Sequence, residues 1–441
     1  MADYLIETFH NAKEYGSILT VEPNHYDELL GFIERVKQEE GNLLFRAWID
    51  EIEKRIVPLI EQAKILSAKY DVVVTNPPYM GSSNMSAKLS AFVKKNYADT
   101  KSDLSTVCME KTISMCKNNG YMAMINIPVW MFISSYEKLR MSILENNTYS
   151  SMLHLGRGIF GSDFGTTSFV IFKQHMDNYK GIYRRLFEKQ GAVDSIEEKE
   201  QKFLVGQGTF VATQENFAKI PGAPVAYWVS EKFNDMFNEM ILSDVAYSFQ
   251  GMITGDNNYY LRLWFEVSRR KFFQQSRKDF NETNVWVPYN KGGEYRKWFG
   301  NNEYVLRWVD NGKKLTRART ENKDYYFREG ITWSFLTSSF FSCRYFPNGF
   351  LWDVAGSSIF AIKDVSLYCI AGLMNSIVAQ TIFNTTNPTL NYQVENIIAL
   401  PYKHNVPHKI VDKLVAENIS LSKADWDSFE TSWDFERHPL V

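Results

Sequence analysis

The sequence predicts an α/β chain: a helical opening segment, a mixed sheet, and then a second domain of α+β character. Three observations predict this. Two strand-like runs, Asp71–Thr75 and Gly120–Pro128, are β-branched or apolar almost throughout, as in strands buried on both faces. Stretches of roughly a dozen residues with helical period separate such runs, which implies crossover connections. Beyond residue 240 the pattern changes to short strand-like runs dense in aromatics. The composition agrees with a globular chain: 441 residues, 45% hydrophobic and 23% charged, enough for two or three domains. With 49 Lys+Arg against 51 Asp+Glu, the chain is not a uniformly basic coat for nucleic acid or membrane.

Residues 1–70 are expected to be helical. Tyr26–Gln38 places Leu29, Leu30, Ile33 and Val36 on one stripe, and Leu43–Tyr70 continues the period with a bend at Pro58. The strand Asp71–Thr75 ends at Asn76-Pro77-Pro78-Tyr79. Leu104–Lys117 is helical in period, and Ser134 to Glu137 has capping-box spacing before a further helix to about Glu145. Ser151–Leu155 and Thr166–Lys173 flank a glycine-rich turn too tight for a helix, so they are expected to pair antiparallel. The expected division is 71–185 for the sheet domain, 186–240 for a linker and 241–441 for the second domain, with helices near 367–383 and 408–420. Val365–Phe383 is interrupted by Asn375 and Gln380 and reads as a buried helix rather than a membrane span. Residues 1–20 carry Asp3, Glu7, Lys13 and Glu14 and do not read as a secretory leader. Cys108, Cys116, Cys343 and Cys369 lack metal-site spacing and fit a reduced, cytoplasmic compartment.

The chemistry concentrates at Asn76–Tyr79. Two prolines after a strand remove two backbone donors and stiffen the chain at the strand's carboxyl end, where open α/β sheets place ligands. The Asn76 amide oxygen and the Pro77 carbonyl become two fixed acceptors, and Tyr79 adds a flat ring. That set suits the exocyclic amine of a planar base: the acceptors take its two N–H bonds and free the nitrogen lone pair.

Gly156-Arg-Gly-Ile-Phe-Gly161 matches G-x-G-x-x-G, but a dinucleotide site needs a helix after it, and a strand-like run follows instead. It is read as a turn. His404 and His408 have i, i+4 spacing, but Pro401 and Pro407 break any helix holding them, and they are not expected to hold a metal. Residues 261–330 contain 16 Lys and Arg against 9 Asp and Glu, net +7, interleaved with 15 aromatics. Arg262, Arg296, Lys313, Lys314, Arg317 and Arg319 are the candidate phosphate contacts. The alternative is a solvated basic face over an aromatic core.

The Asn76–Tyr79 segment resembles motif IV of the DNA adenine-N6 methyltransferases. Gly120–Pro128 is similar to the strand that follows in that family, and Lys101–Lys111 to the helix between them. Gly158-Ile-Phe160 with Gly165–Phe172 resembles the segment whose aromatic stacks on a flipped base, which assigns that role to Phe160. Asn387–Val394 and Ser422–Phe435 resemble the PglX type, from bacterial phage-exclusion (BREX) defence systems, and Gly251–Asn258 with Arg262 resembles the opening of its target-recognition domain.

The resemblance implies a partial class I methyltransferase (Rossmann-like) sheet followed by a target-recognition domain. It implies S-adenosylmethionine as cofactor, double-stranded DNA as partner, and a flipped adenine stacked on Tyr79. The family's glycine-rich cofactor turn does not precede Asn76, so the chain is expected to be truncated at both ends and to need a complementing amino-terminal half or further defence subunits. The readings left open are a non-catalytic DNA-binding module and an amino-methyltransferase for RNA or protein.

Overall fold

The computed structural model describes residues 2–39, 43–160, 164–188, 193–271, 285–309, 312–313, 315, 319–337, 340–387 and 391–440. The chain divides into two compact units, Met1–Trp228 and Val229–Val441.

The first unit opens with helices Ala2–Phe9, Tyr26–Lys37, Leu43–Arg55 and Val57–Ser67. Their apolar stripes meet in a small core of Leu5, Phe9, Tyr26, Ile33, Ile60 and Ala63. Pro58 falls in the first turn of its helix, where a missing N–H costs nothing, so the chain breaks at Ile56 instead of bending through a continuous helix.

Six strands follow: β1 (Tyr70–Thr75), β2 (Cys116–Asn126), β3 (Thr148–Gly156), β4 (Thr166–Phe172), β5 (Lys180–Arg185) and β6 (Thr209–Thr213). They form one sheet in the order β1-β2-β4-β3-β5-β6. β1 and β2 are parallel, joined through the helix Leu104–Met115. β4 lies antiparallel between β2 and β3, as the tight Gly156–Gly165 connection requires. The stretch expected as a linker departs from that reading. It carries the helix Ile196–Leu204 and the sixth strand, whose Phe210 and Ala212 pack on the core. Short alternating runs beside glycines read as loop when the partner strand is distant in sequence. The helix after Ser134 also departs from expectation: residues Ser134–Tyr136 form a 3-10 turn and the helix starts at Glu137, so Ser134 does not cap it.

One face of this sheet is packed and the other is bare. Met122, Met124, Phe169, Ile171, Met152 and Tyr183 are buried beneath the helix Glu137–Asn146 and neighbouring turns. On the opposite face, Val74, Ala123, Val170, Ser151, Ile182 and Val211 lie in register across all six strands, and none is buried. β1 is an edge strand, with Val72 57% and Val74 71% exposed, where the sequence predicts full burial. Its composition is that of a central strand, but β2 is its only hydrogen-bonded neighbour among the described residues.

The second unit contains two four-stranded sheets, β13-β9-β10-β8 and β12-β11-β14-β7. Their strands are β7 (Ala246–Phe249), β8 (Leu261–Leu263), β9 (Trp286–Asn290), β10 (Tyr304–Arg307), β11 (Gly330–Trp333), β12 (Cys343–Phe346), β13 (Leu351–Trp352) and β14 (Ser358–Ala361). Tyr289, Trp308, Phe346, Trp352 and Phe360 fill the core, so much of the aromatic density is structural. Gly251 is needed where it stands: a Cβ there would lie 2.2 Å from the Trp352 carbonyl oxygen. The helices Leu367–Met374 and Ile377–Thr386 are bent by 61° and bury Ile370, Ala371, Ile382 and Phe383. Among the described residues, no single helix is long and apolar enough to cross a membrane.

Candidate active site

Parallel pairing of β1 with β2 puts Thr75 beside Met124, so both strands deliver their next residues to the same end of the sheet. Asn76 leaves that end exposed, Pro77 is buried as an anchor, and Tyr79 is half-buried. The chain is pinned immediately afterwards by the Leu104 N–H donating to the Met80 carbonyl at 2.9 Å, and the Ser82 N–H to Ser102 at 2.9 Å. Stiff prolines before and two backbone ties after leave the segment little freedom.

The Tyr79 hydroxyl donates to Asn76 Oδ1 at 3.0 Å, and a second acceptor, the Ile125 carbonyl of β2, lies at 3.4 Å. The amide oxygen assigned to a substrate amine is thus engaged within the motif. Partial burial holds the Tyr79 hydroxyl above the usual phenol pKa, so it is a neutral donor at pH 7. Asn126, wholly buried at the end of β2, folds its amide oxygen back onto the Ile127 N–H and takes no part in this network.

The loop between β3 and β4 brings a further aromatic. Phe164 meets the Tyr79 ring edge-on, with centroids 5.5 Å apart and planes at 90°. Phe160, named from sequence, is 52% exposed in the turn and has no ring contact among those the structure shows for Tyr79. Sequence reasoning missed Phe164. The available signal was its place in the same aromatic-bearing turn, beside Gly165 at the start of β4.

The glycine turn 156–160 offers no cradle for S-adenosylmethionine. At the glycine turn, a Cβ on Gly156 would meet the Phe187 ring at 2.7 Å and one on Gly158 would meet Val193 at 3.1 Å, so the space is filled by protein. Strand β4 follows, with no helix amino-terminus to receive an anionic or zwitterionic group.

The basic residues of the second unit separate into two groups. Arg296 donates to the Phe299 carbonyl, the Ser422 carbonyl and Asp425 at 2.6–3.0 Å and stacks over Trp426, tying the helix His408–Asp427 to the loop after β9. Arg262 donates to the Asn258 and Leu261 carbonyls and orders the start of β8. Lys313 and Arg319 are exposed; the carboxylate paired with Arg319 among the described residues is Glu321, at 3.9 Å. Lys314 and Arg317 lie outside the described residues. His404 stands in a loop and His408 opens the helix, its Nε2–H donating to the His404 carbonyl at 2.9 Å, so no helical face carries both.

A two-strand parallel edge bearing Asn-Pro-Pro-Tyr, joined to a sheet with an inserted antiparallel strand, defines the class: an amino-methyltransferase-like domain. Residues 11–160 match the Eco57I restriction-modification methylase family. The chain is 37% identical over 445 residues to the adenine-specific methyltransferase BrxX of Escherichia coli O9:H4 (strain HS), covering 98% of this chain and 36% of that protein. It is 36% identical to the adenine-specific methyltransferase PglX of Lacticaseibacillus casei (strain Zhang), covering 98% of this chain and 38% of the relative. Among solved structures, the type IIL restriction-modification enzyme MmeI in complex with DNA is similar in fold, with a TM-score of 0.51 at 11% identity, over 82% of this chain and 50% of that one. The chain is thus similar over nearly its whole length to the adenine-specific methyltransferases BrxX and PglX, and spans a little over a third of the length of these relatives.

Proposed function

We propose that this chain is the amine-gripping and target-reading part of a site-specific DNA adenine-N6 methyltransferase of a BREX-type phage-defence system, with S-adenosylmethionine as methyl donor. The observation that carries the reading is the rigid Asn76–Tyr79 segment at the carboxyl end of a parallel strand pair, with aromatic rings around it. A flipped adenine stacks on Tyr79, with Phe164 or Phe160 closing the opposite side or edge. When the Tyr79 hydroxyl turns from Asn76 to the Ile125 carbonyl, Asn76 Oδ1 and the Pro77 carbonyl accept the two amine protons. The nitrogen lone pair then points away from the ring plane, in line for transfer, and no covalent enzyme intermediate is required.

The cofactor belongs to a complementing segment. The free β1 edge and the bare sheet face provide the surface for it: an added parallel strand pairs with β1, and its helices cover Val74 and Ile182. The exposed cations of the second unit, Lys313 and Arg319, contact DNA phosphates.

Two measurements test the reading. In the assembled enzyme, Asn76→Ala lowers methylation of duplex DNA by about 100-fold or more, the scale of losing one positioned polar partner of the reacting group; wild-type rates in that variant reject the assigned role. Titration calorimetry of the isolated chain with S-adenosylmethionine shows no binding. Micromolar binding would place the cofactor site within these residues. A second reading, a DNA-binding module without catalysis, draws on the same filled glycine turn, and is supported instead if adding the complementing segment restores no methylation.

A further inference from the structure

At the sheet end opposite Asn76, three side chains that can each ligate a cation converge. His175 follows β4, Asp177 lies two residues on, and Glu215 follows β6. One ligand atom from each lies within 4.8 Å of the others. The tautomer of His175 is set by its neighbours. Gln214 Nε2 uses both of its hydrogens, on the Leu144 carbonyl at 3.0 Å and the Asn147 carbonyl at 2.9 Å, so it has none for His175 Nδ1 at 3.2 Å. Nδ1 therefore carries its own hydrogen and donates it to the Leu144 carbonyl at 2.8 Å.

The other ring nitrogen, Nε2, faces Asp177 Oδ1 at 3.0 Å. An approach that close needs positive charge against both atoms, from a shared proton or from a metal ion. Glu215 adds to the imbalance: its Oε1 accepts from the Asn178 N–H at 2.8 Å, while its Oε2 is buried with no partner. A second, independent group lies behind them. The Tyr183 hydroxyl is wholly buried and unpartnered, and it reaches back past Gly181 toward the first residues of β5, where Lys180 pairs with Thr213, two residues before Glu215.

We propose that His175, Asp177 and Glu215 bind a divalent transition-metal ion that fastens the β4–β5 loop to the corner after β6. The charges suit it: the two carboxylates offset the charge of a 2+ ion, and the imidazole adds an uncharged nitrogen donor. An imidazole ligand favours a transition ion such as Zn²⁺ or Mn²⁺ over an all-oxygen Ca²⁺ site. The Nδ1–H bond to a backbone carbonyl is the support that metal-bound histidines commonly have. Bonds of about 2.1 Å bring ligand atoms to about 3–3.5 Å of one another. The exposed Asp177 side chain supplies the small inward movement needed.

The test uses the whole chain with Mn²⁺ and Zn²⁺ as probes, by Mn²⁺ paramagnetic resonance and by thermal melting with and without EDTA. One Mn²⁺ per chain is expected to bind in the micromolar range, and either ion to raise the melting temperature by several degrees. Asp177→Asn, at an exposed position, and Glu215→Gln, which keeps the oxygen bonded to Asn178, each weaken Mn²⁺ at least 10-fold without lowering the metal-free melting temperature. Unchanged binding in both variants overturns the proposal, as does absence of binding at millimolar Mn²⁺. In the latter case the His175–Asp177 contact holds the loop by itself and melting does not respond to metal.

Discussion

The two units carry their functional residues in opposite ways. In the first, Asn76, Pro77 and Tyr79 are contiguous, and their neighbours Phe164 and Ile125 arrive by strand register. In the second, the candidate cations are scattered over 261–330, and the fold divides them between internal ties, as at Arg296, and open surface, as at Lys313. Rigid local geometry makes the first kind of site readable from a short motif. Local charge density announces the second without saying which charges are free.

The buried arginines show how far this contrast extends. Arg140 in the first unit is 1% exposed and donates to the carbonyls of Trp130, Ile133, Gly222 and Ala223 at 2.5–3.1 Å. Arg344 in the second is equally buried, 2% exposed, but its contacts to the Arg296 carbonyl and Ser334 are 3.5 Å long and its Nε has no partner. Burial lowers both guanidinium pKa values to about 10, so both remain charged at pH 7. Arg140→Met strands four carbonyls and is expected to cost about 3 kcal/mol or more in denaturant unfolding; Arg344→Met is expected to be near neutral. Equal costs would show that the two cores hold their charges alike.

A smaller effect separates the units by pH. Burial, helped by the Arg185 charge, pushes His154 from its ordinary 6.5 down to about 3, and its Nδ1 lies 3.1 Å from the Tyr227 hydroxyl. Between those values the unfolded chain binds a proton that the folded chain does not, so stability falls as pH falls below 6.5. The slope approaches about 1.4 kcal/mol per pH unit and flattens near the lower value. Melting from pH 7 to 4.5 measures it, and His154→Gln should remove most of the slope contributed by this residue. An unchanged slope would assign acid sensitivity to other groups.

Much of the first unit was legible in the sequence because its signals are local. The β1 run, the proline-stiffened exit and the tight β3–β4 connection each constrain their own neighbourhood. What was not legible is tertiary. Exposure of Val72 and Val74 depends on which strand lies beyond β1, and β6 pairs with β5 across a helix and turns. The choice between Phe160 and Phe164 depends on how the 156–165 loop folds over the strand ends. In the second unit the excess of positive charge is evident from composition, but the partners that engage Arg296 come from Ser422 and Asp425, more than a hundred residues away.

Salt dependence converts that division into a measurement. Lys313→Ala and Arg319→Ala should each lower the slope of log affinity for DNA against log salt by about 1, with no loss of stability. Arg296→Ala should leave the slope unchanged and destabilise the second unit by about 1–2 kcal/mol, through the lost tie to Asp425 and Trp426. If Arg296→Ala alone changes the slope, the internal contacts open when DNA binds and the division between free and tied cations is wrong.

The smallest expected effect returns to the motif itself. The Tyr79 hydroxyl occupies the Asn76 oxygen that the proposed chemistry requires, so adenine binding has to displace one hydrogen bond worth about 0.5–1.5 kcal/mol. Tyr79→Phe keeps the ring and its edge contact with Phe164 but removes that competitor. The Michaelis constant of the assembled enzyme for target DNA should fall by about 2- to 5-fold, with the turnover rate within about threefold of wild type. A rise of more than 10-fold would mean that the hydroxyl, directed to Ile125 or to the base, serves the bound state, and that Asn76 is held for it rather than blocked by it.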